Sequence, residues 1–186
     1  MTRRLKPGDA VDYVVTWLEM TERPRAPLPP RPAGQQAALL LAKDPPADYF
    51  LYLYRAVGAE YEWTDWLARP AADAEAFVGD PRVSLWTMML DGWPGGFFVL
   101  DARRAGVVDL AYFGLVPQAI GRGLGRWLLA TAVHTGWERP GTERMTVNTN
   151  TLDHPRALGL YQKVGFRPVR RERLSRVLTR ERVEGG

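Results

Sequence analysis

Three glycines spaced two apart, Gly121, Gly123 and Gly125, stand between a run of strand-forming residues and the start of a helix. The run is Asp109-Leu-Ala-Tyr-Phe-Gly-Leu-Val, closed by Pro117, and helix-forming residues follow from Leu124. Strand, glycine turn and helix start together make a phosphate site. Glycine lets the backbone approach an anion, and the unpaired N–H groups of the first helical turn point at it. Spacing narrows the chemistry. A dinucleotide fold needs Gly-x-Gly-x-x-Gly, which neither Gly121 nor Gly123 begins. A nucleotide triphosphate loop ends in Gly-Lys-Ser/Thr, whereas Gly125 is followed by Arg126 and Trp127. What remains is a turn that grips a pyrophosphate through main-chain amides, without a metal.

Composition removes other chemistries. The chain has 186 residues, enough for one α/β domain with a core. It has no cysteine, which excludes disulfides, thiolate nucleophiles and zinc–thiolate sites, and two histidines cannot build a histidine-rich metal site. No apolar run is long enough to span a bilayer. The basic start, Met-Thr-Arg-Arg-Leu-Lys-Pro, leads into Gly8 and Asp9 rather than an apolar segment, so the cytoplasm is the expected location. Net charge is +4, carried almost wholly by arginine. Seven arginines crowd the end, at 167, 170, 171, 173, 176, 180 and 182. Charge alone would suggest a nucleic-acid partner, but no nucleic-acid motif accompanies it, and a solvated strand face explains the same residues.

The elements that position the glycine turn follow from periodicity. Asp12–Met20 is β-branched and aromatic and reads as a strand. Residues 23–34 form a proline-rich loop. Gln35–Lys43 fits either helix or strand. Asp48–Val57 reads as a helix capped by Gly58. Trp63 and Trp66, three apart, fall on one helical face. The aromatic segment 49–66, with Tyr52 and Trp63 as candidate substrate contacts, either walls a pocket or packs the core. Ala71–Val78 reads as helix. Strands at 83–90, 97–100 and 107–116 make a meander, the first two joined by an Asp91-Gly92 turn. A helix over 124–136, a strand over 144–150, a helix over 155–164 and a strand from Phe166 complete the pattern. Strands 107–116 and 144–150, joined by a helix, should be parallel neighbours. The predicted fold is therefore α+β: a single domain over 1–186 with a mixed, mostly antiparallel sheet and helices on both faces. Gly114 inside its strand predicts a bulge that splays the parallel pair and opens a wedge.

The chain at this point resembles the GNAT superfamily of acetyl-CoA-dependent N-acetyltransferases, best over residues 83–170. Three pieces carry the resemblance. Leu115-Val116-Pro117 followed by Gly121-Arg122-Gly123-Leu124-Gly125 looks like the family's pyrophosphate loop. Strand 144–150 follows. Ala157-Leu158-Gly159-Leu160-Tyr161, continued by Gln162-Lys163-Val164-Gly165-Phe166, looks like the signature Ala-x-x-Leu-Tyr-x-x-x-Gly-Phe. Two positions depart from the pattern. Ile120 stands where the loop usually has Arg or Gln, and His154 stands where the family has an asparagine.

The resemblance implies acetyl-CoA as cosubstrate, its pyrophosphate on Ile120, Gly121, Arg122, Gly123, Leu124, Gly125 and Arg126. Leu115 and Val116 would offer backbone groups to the pantetheine arm, and His154 another contact. An amine, on a small molecule or peptide, would attack the thioester directly, with no covalent enzyme intermediate and no metal. Tyr161 is the implied acid toward the leaving sulfur, its phenol near pKa 10 roughly matching an alkyl thiol. Asp109 is the implied base, acting through a water because aspartate is short. A non-catalytic acyl-CoA-binding domain stays open as the alternative, as does the oligomeric state, a homodimer included.

Overall fold

The computed structural model describes residues 4–183; the first and last three residues of the expected domain lie outside them. The chain runs β1 (Arg4–Leu5), β2 (Ala10–Met20), β3 (Ala37–Ala42), α1 (Ala47–Gly58), α2 (Ala71–Val78), β4 (Val83–Leu90), β5 (Trp93–Asp101) and β6 (Val107–Leu115). It continues through α3 (Leu124–Glu138), β7 (Arg144–Asn150), α4 (Ala157–Lys163), β8 (Arg167–Val177) and β9 (Arg182–Val183). Seven strands form one sheet in the order β3-β4-β5-β6-β7-β2-β8, while β1 and β9 pair apart from it. All neighbours in the large sheet are antiparallel except β6 and β7. This is the mixed, mostly antiparallel sheet with one parallel pair that the sequence pattern predicts.

Local chemistry accounts for the elements. Asp91 and Gly92 both adopt left-handed backbone, φ 51° and 90°, and join Leu90 to Trp93 as a two-residue hairpin. The 35–43 segment becomes β3 because β4 offers it a ladder from Ala37–Leu90 to Ala42–Leu85. Helix α1 buries Phe50, Leu53, Tyr54 and Val57, the i, i+3, i+4, i+7 stripe of an amphipathic helix. Gly58 is the last residue of α1 rather than a left-handed cap; the Trp63 side chain fills the space a Cβ would take. Trp63 and Trp66 do not share a helical face, because residues 60–65 are irregular and only Trp66–Ala68 form a short 3-10 turn. Both rings instead join Phe50, Tyr54, Phe77 and Tyr112 in one aromatic cluster. Helix α4 ends in a Schellman arrangement: Gly165, φ 114°, donates to Gln162 and Phe166 donates to Tyr161, at 3.1 Å each. Five of the seven late arginines lie along β8, an exposed edge strand, where Arg170 stacks 3.6 Å from the Trp17 ring centre; Arg180 and Arg182 follow it, beside Glu62 and the Leu152 carbonyl.

The wedge arises where β7 must choose a neighbour. It pairs with β2 from Met145 to Asn150 but with β6 over only three positions, Val107–Arg144 to Asp109–Thr146. Beyond Asp109 the parallel strands separate. The bulge that helps turn β6 away is at Ala111, which has no partner between the Leu110–Leu100 and Tyr112–Val99 pairs. It is not at Gly114, as the sequence suggests. Gly114 lacks a side chain because α1 crosses there: a Cβ would sit 2.3 Å from Val57 Cγ1. Its neighbour Phe113 points to the other face and meets Tyr161 of α4, ring centres 6.1 Å apart. Helices therefore cover both faces, with α1 on one side of the wedge and α4 on the other.

Gly114→Ala is expected to cost about 1–3 kcal/mol by overpacking against α1. Combined with Val57→Ala, which removes the obstructing methyl, the loss should fall short of the sum of the two single losses. Urea unfolding of the four proteins checks this.

Candidate active site

The wedge is the mouth of a cleft of about 740 Å³. One wall is the outer half of β6. Val116 donates its N–H to the carbonyl of Gly95 at 3.1 Å, so it faces β5 as a hydrogen-bonded pair. Alternation then directs the amide and carbonyl groups of Phe113 and Leu115 away from β5, into the wedge. No strand pairs with that edge among the described residues. The cleft floor leads to the start of α3. Its N-cap is Gly123 in left-handed conformation, φ 76°, with Gly121 likewise at 82°. No side chain caps α3, and its first turn holds no acid, so the amides at Gly123–Arg126 are left for an anion, with the helix dipole behind them.

The opposite wall comes from α4 and the turn before it. Tyr161 is buried, and its phenol lines the cleft without a protein hydrogen-bond partner among the described residues. Burial, then the charges of Asp153 and Asp109, hold that phenol well above its ordinary range. It is a protonated hydroxyl at any physiological pH. His154 lines the cleft with its Nδ1 accepting the Arg156 N–H at 3.1 Å. Aromatic side chains of Tyr61, Trp63 and Tyr112 complete the lining from the α1 side.

Of the residues expected at the site, the cleft gathers Trp63, Leu115, Ile120, Gly121, Gly123, Gly125, Arg126, His154 and Tyr161. Five expected residues lie elsewhere. Tyr52 sits on the outer stripe of α1, 51% exposed, opposite the buried one. Val116 is buried and its amide is already engaged by Gly95. The Leu124 side chain is in the core, leaving only its backbone near the turn. Arg122 turns outward to Asp91 at 3.2 Å, while its carbonyl accepts from Gln35 Nε2 at 2.7 Å. Asp109 belongs to the paired part of the parallel strands, where Thr146 donates to it at 2.5 Å, and it is not part of the cleft lining.

Among the lining residues that sequence did not single out is Asp153. Asp153 reaches the cleft from the turn after β7. Its Oδ1 accepts from Trp63 Nε1 at 3.2 Å; its Oδ2 accepts from Thr149 Oγ1 at 2.8 Å and the Asn150 N–H at 2.9 Å. Only its place beside His154, at the altered asparagine position, could have drawn attention to it. No group of three or more metal-ligating side chains occurs among the described residues, and no described helix is long and apolar enough to cross a membrane.

A family model described as the acetyltransferase (GNAT) family matches residues 40–166. The chain belongs to that family. Solved structures agree in fold. A GCN5-related N-acetyltransferase from Kribbella flavida superposes with a TM-score of 0.58 at 20% identity, over 93% of this chain and 59% of its own. Another from Sphaerobacter thermophilus gives 0.60 at 17% identity, over 98% and 53%. The aminoglycoside N-acetyltransferase AAC(6')-Iy, in complex with CoA, gives 0.53 at 20% identity, over 75% and 93%. This GNAT chain thus spans about three fifths of the Kribbella protein. No curated protein matches it in sequence.

Burial raises the pKa of Asp109 above the ordinary carboxylate value, against the hydrogen bond from Thr146. The unfolded chain therefore ionises this group at a lower pH than the folded one, and stability from it declines as pH rises above about 4. Asp109→Asn is expected to raise the urea midpoint at pH 7, with the gain vanishing below about pH 4. An unchanged midpoint at pH 7 would contradict the assigned environment.

Proposed function

We propose that this protein is an acetyl-CoA-dependent N-acetyltransferase that moves an acetyl group to a primary amine of a small molecule or peptide, by direct attack in a ternary complex. The observation that carries the reading is the continuity of the cleft. The open edge of β6 runs from an uncapped helix N-terminus to the hydroxyl of Tyr161. The free groups of Phe113 and Leu115 suit the amides of a pantetheine arm, as a missing strand would. The glycine-turn amides and Arg126 suit a pyrophosphate. The CoA complex of AAC(6')-Iy and an aminoglycoside acetyltransferase from a soil metagenome, solved with sisomicin, support a small-molecule amine as acceptor class. An acyl-CoA cosubstrate is also in keeping with a cytoplasmic location.

The reaction needs a neutral amine, a stabilised oxyanion and a proton for the departing thiolate. Tyr161 serves the last. Its raised pKa makes it a hydrogen-bond donor to sulfur, and a weaker acid than the ordinary phenol that sequence alone suggests. Asp109 could act only through a relay past Thr146. Arg122, held by Asp91, contributes little to cosubstrate binding.

Acetyl-CoA is expected to bind in the presence of a chelator, by calorimetry; no heat at high micromolar cosubstrate would remove the reading. Tyr161→Phe should keep that affinity and slow transfer about 100-fold or more. Unchanged turnover would take Tyr161 out of the mechanism.

A further inference from the structure

Charge is distributed unevenly around the cleft. Its lining holds three cations, Arg126, Arg156 and Lys163, and one carboxylate, Asp153. The cations suit a cosubstrate rich in phosphate. The lone carboxylate does not. All three of its hydrogen-bond donors are neutral, and it has no salt-bridge partner among the described residues. Glu62, a fully buried carboxylate, behaves differently. It is held by Thr179 through N–H and hydroxyl, lies 3.6 Å from Arg180 Nε, and does not line the cleft. Glu62 is a satisfied structural ion. Asp153 is a half-buried carboxylate with no cation in ion-pair contact among the described residues, only the more distant charge of Arg182, and an incoming cation would supply that contact.

We infer that Asp153 is the acceptor-binding carboxylate, taking the ammonium of a monoamine with an apolar or aromatic body and then receiving its proton. This rests on the acetyltransferase reading for the reaction, though the ammonium site stands by itself. Oδ1 carries only the 3.2 Å contact from Trp63 and retains a lone pair for a further donor. Trp63 contacts Asp153 directly, and the rings of Tyr61 and Tyr112 line the same cleft, an apolar setting suited to an amine with an apolar body. A polycationic aminoglycoside would call for several carboxylates, and the cleft supplies one.

The proton balance is simple. The ammonium gives one proton to the Asp153 carboxylate, which later passes it to solvent. The neutral nitrogen attacks the thioester carbonyl, forming C–N while the C–S bond breaks with its electron pair on sulfur. Tyr161 donates its hydroxyl proton to the sulfur and is reprotonated by the second proton leaving nitrogen. The products are the amide and the free thiol. Burial, opposed by the bonds from Asn150, Thr149 and Trp63 and by the Arg182 charge, keeps Asp153 above the usual carboxylate range and nearer to an amine in proton affinity. Asp153 and Tyr161 line the same cleft, and the Asp153 charge helps to hold the Tyr161 phenol protonated.

The test compares 2-phenylethylamine with its uncharged counterpart 2-phenylethanol, by calorimetry on the protein saturated with CoA. The wild type should bind the ammonium at least tenfold tighter. Asp153→Asn should bind CoA within about twofold of wild type and lose that preference, and acetyl transfer to 2-phenylethylamine should fall at least 100-fold. Equal binding of the two probes by the wild type, or a preference that survives in Asp153→Asn, overturns the inference. Should the variant lose CoA affinity through misfolding, the wild-type comparison decides alone. A wild type that prefers the ammonium but acetylates no amine would refute the acetyltransferase reading and leave the Asp153 site standing.

Discussion

A β-strand can satisfy two neighbours only if both follow it. β7 follows β2 to its end and leaves β6 after three residue pairs. Everything that makes a site here depends on that parting. Buried backbone groups must find partners, so the open edge of β6 is tolerable only where solvent or a ligand can complete it. The parting also sets α3, which springs from the end of β6, apart from α4, which springs from the end of β7. A ligand along the wedge lies between the N-terminal amides of one helix and the Tyr161 hydroxyl of the other.

The two sides of the wedge are built differently. On the α1 side, aromatic rings pack densely, and Gly114 and Gly58 let Val57 and Trp63 come close to the backbone. This wall is mostly apolar. On the α4 side, polar groups at Thr149, Asp153 and His154 mix with the Tyr161 phenol and the cations Arg156 and Lys163. A cosubstrate needs a continuous edge and positive charge, and an acceptor needs a shaped apolar wall with one polar anchor. On the proposed reading, the β6 edge and the lining cations serve the first, and the Trp63 wall with Asp153 serves the second.

Much of the fold was legible because its signals are local. The Asp91-Gly92 turn, the helix at 48–57 and the α3 and β7 segments each depend on a few adjacent residues. The parallel pairing followed from chain connectivity. The bulge was expected in the right strand at the wrong residue, since Gly114 answers to the distant Val57 rather than to its own ladder. β3 was undecidable because Ala-Ala-Leu-Leu-Leu-Ala lacks a period, and its partner β4 settles it. Trp63 and Trp66 were misread as helical because spacing alone ignores the irregular backbone between them. At the site, Ile120, Gly121, Gly123, Gly125 and Arg126 of the loop and Tyr161 of the signature line the cleft. Asp109, Arg122 and Tyr52 do not, because strand pairing, an ion pair with Asp91 and the far side of a helix decide their orientation. Asp153 takes two of its hydrogen bonds from Thr149 and Asn150 in its own turn, but its place in the cleft wall depends on Trp63, ninety residues away in sequence.

The most direct measurement is amide hydrogen exchange with and without coenzyme A. Slowed exchange at Phe113 and Leu115 on β6 and across residues 121–126, with little change on β8, is the expected result. Protection that spares the β6 edge and the glycine turn, or falls on the arginine-rich strand instead, would contradict a cosubstrate lying in the wedge.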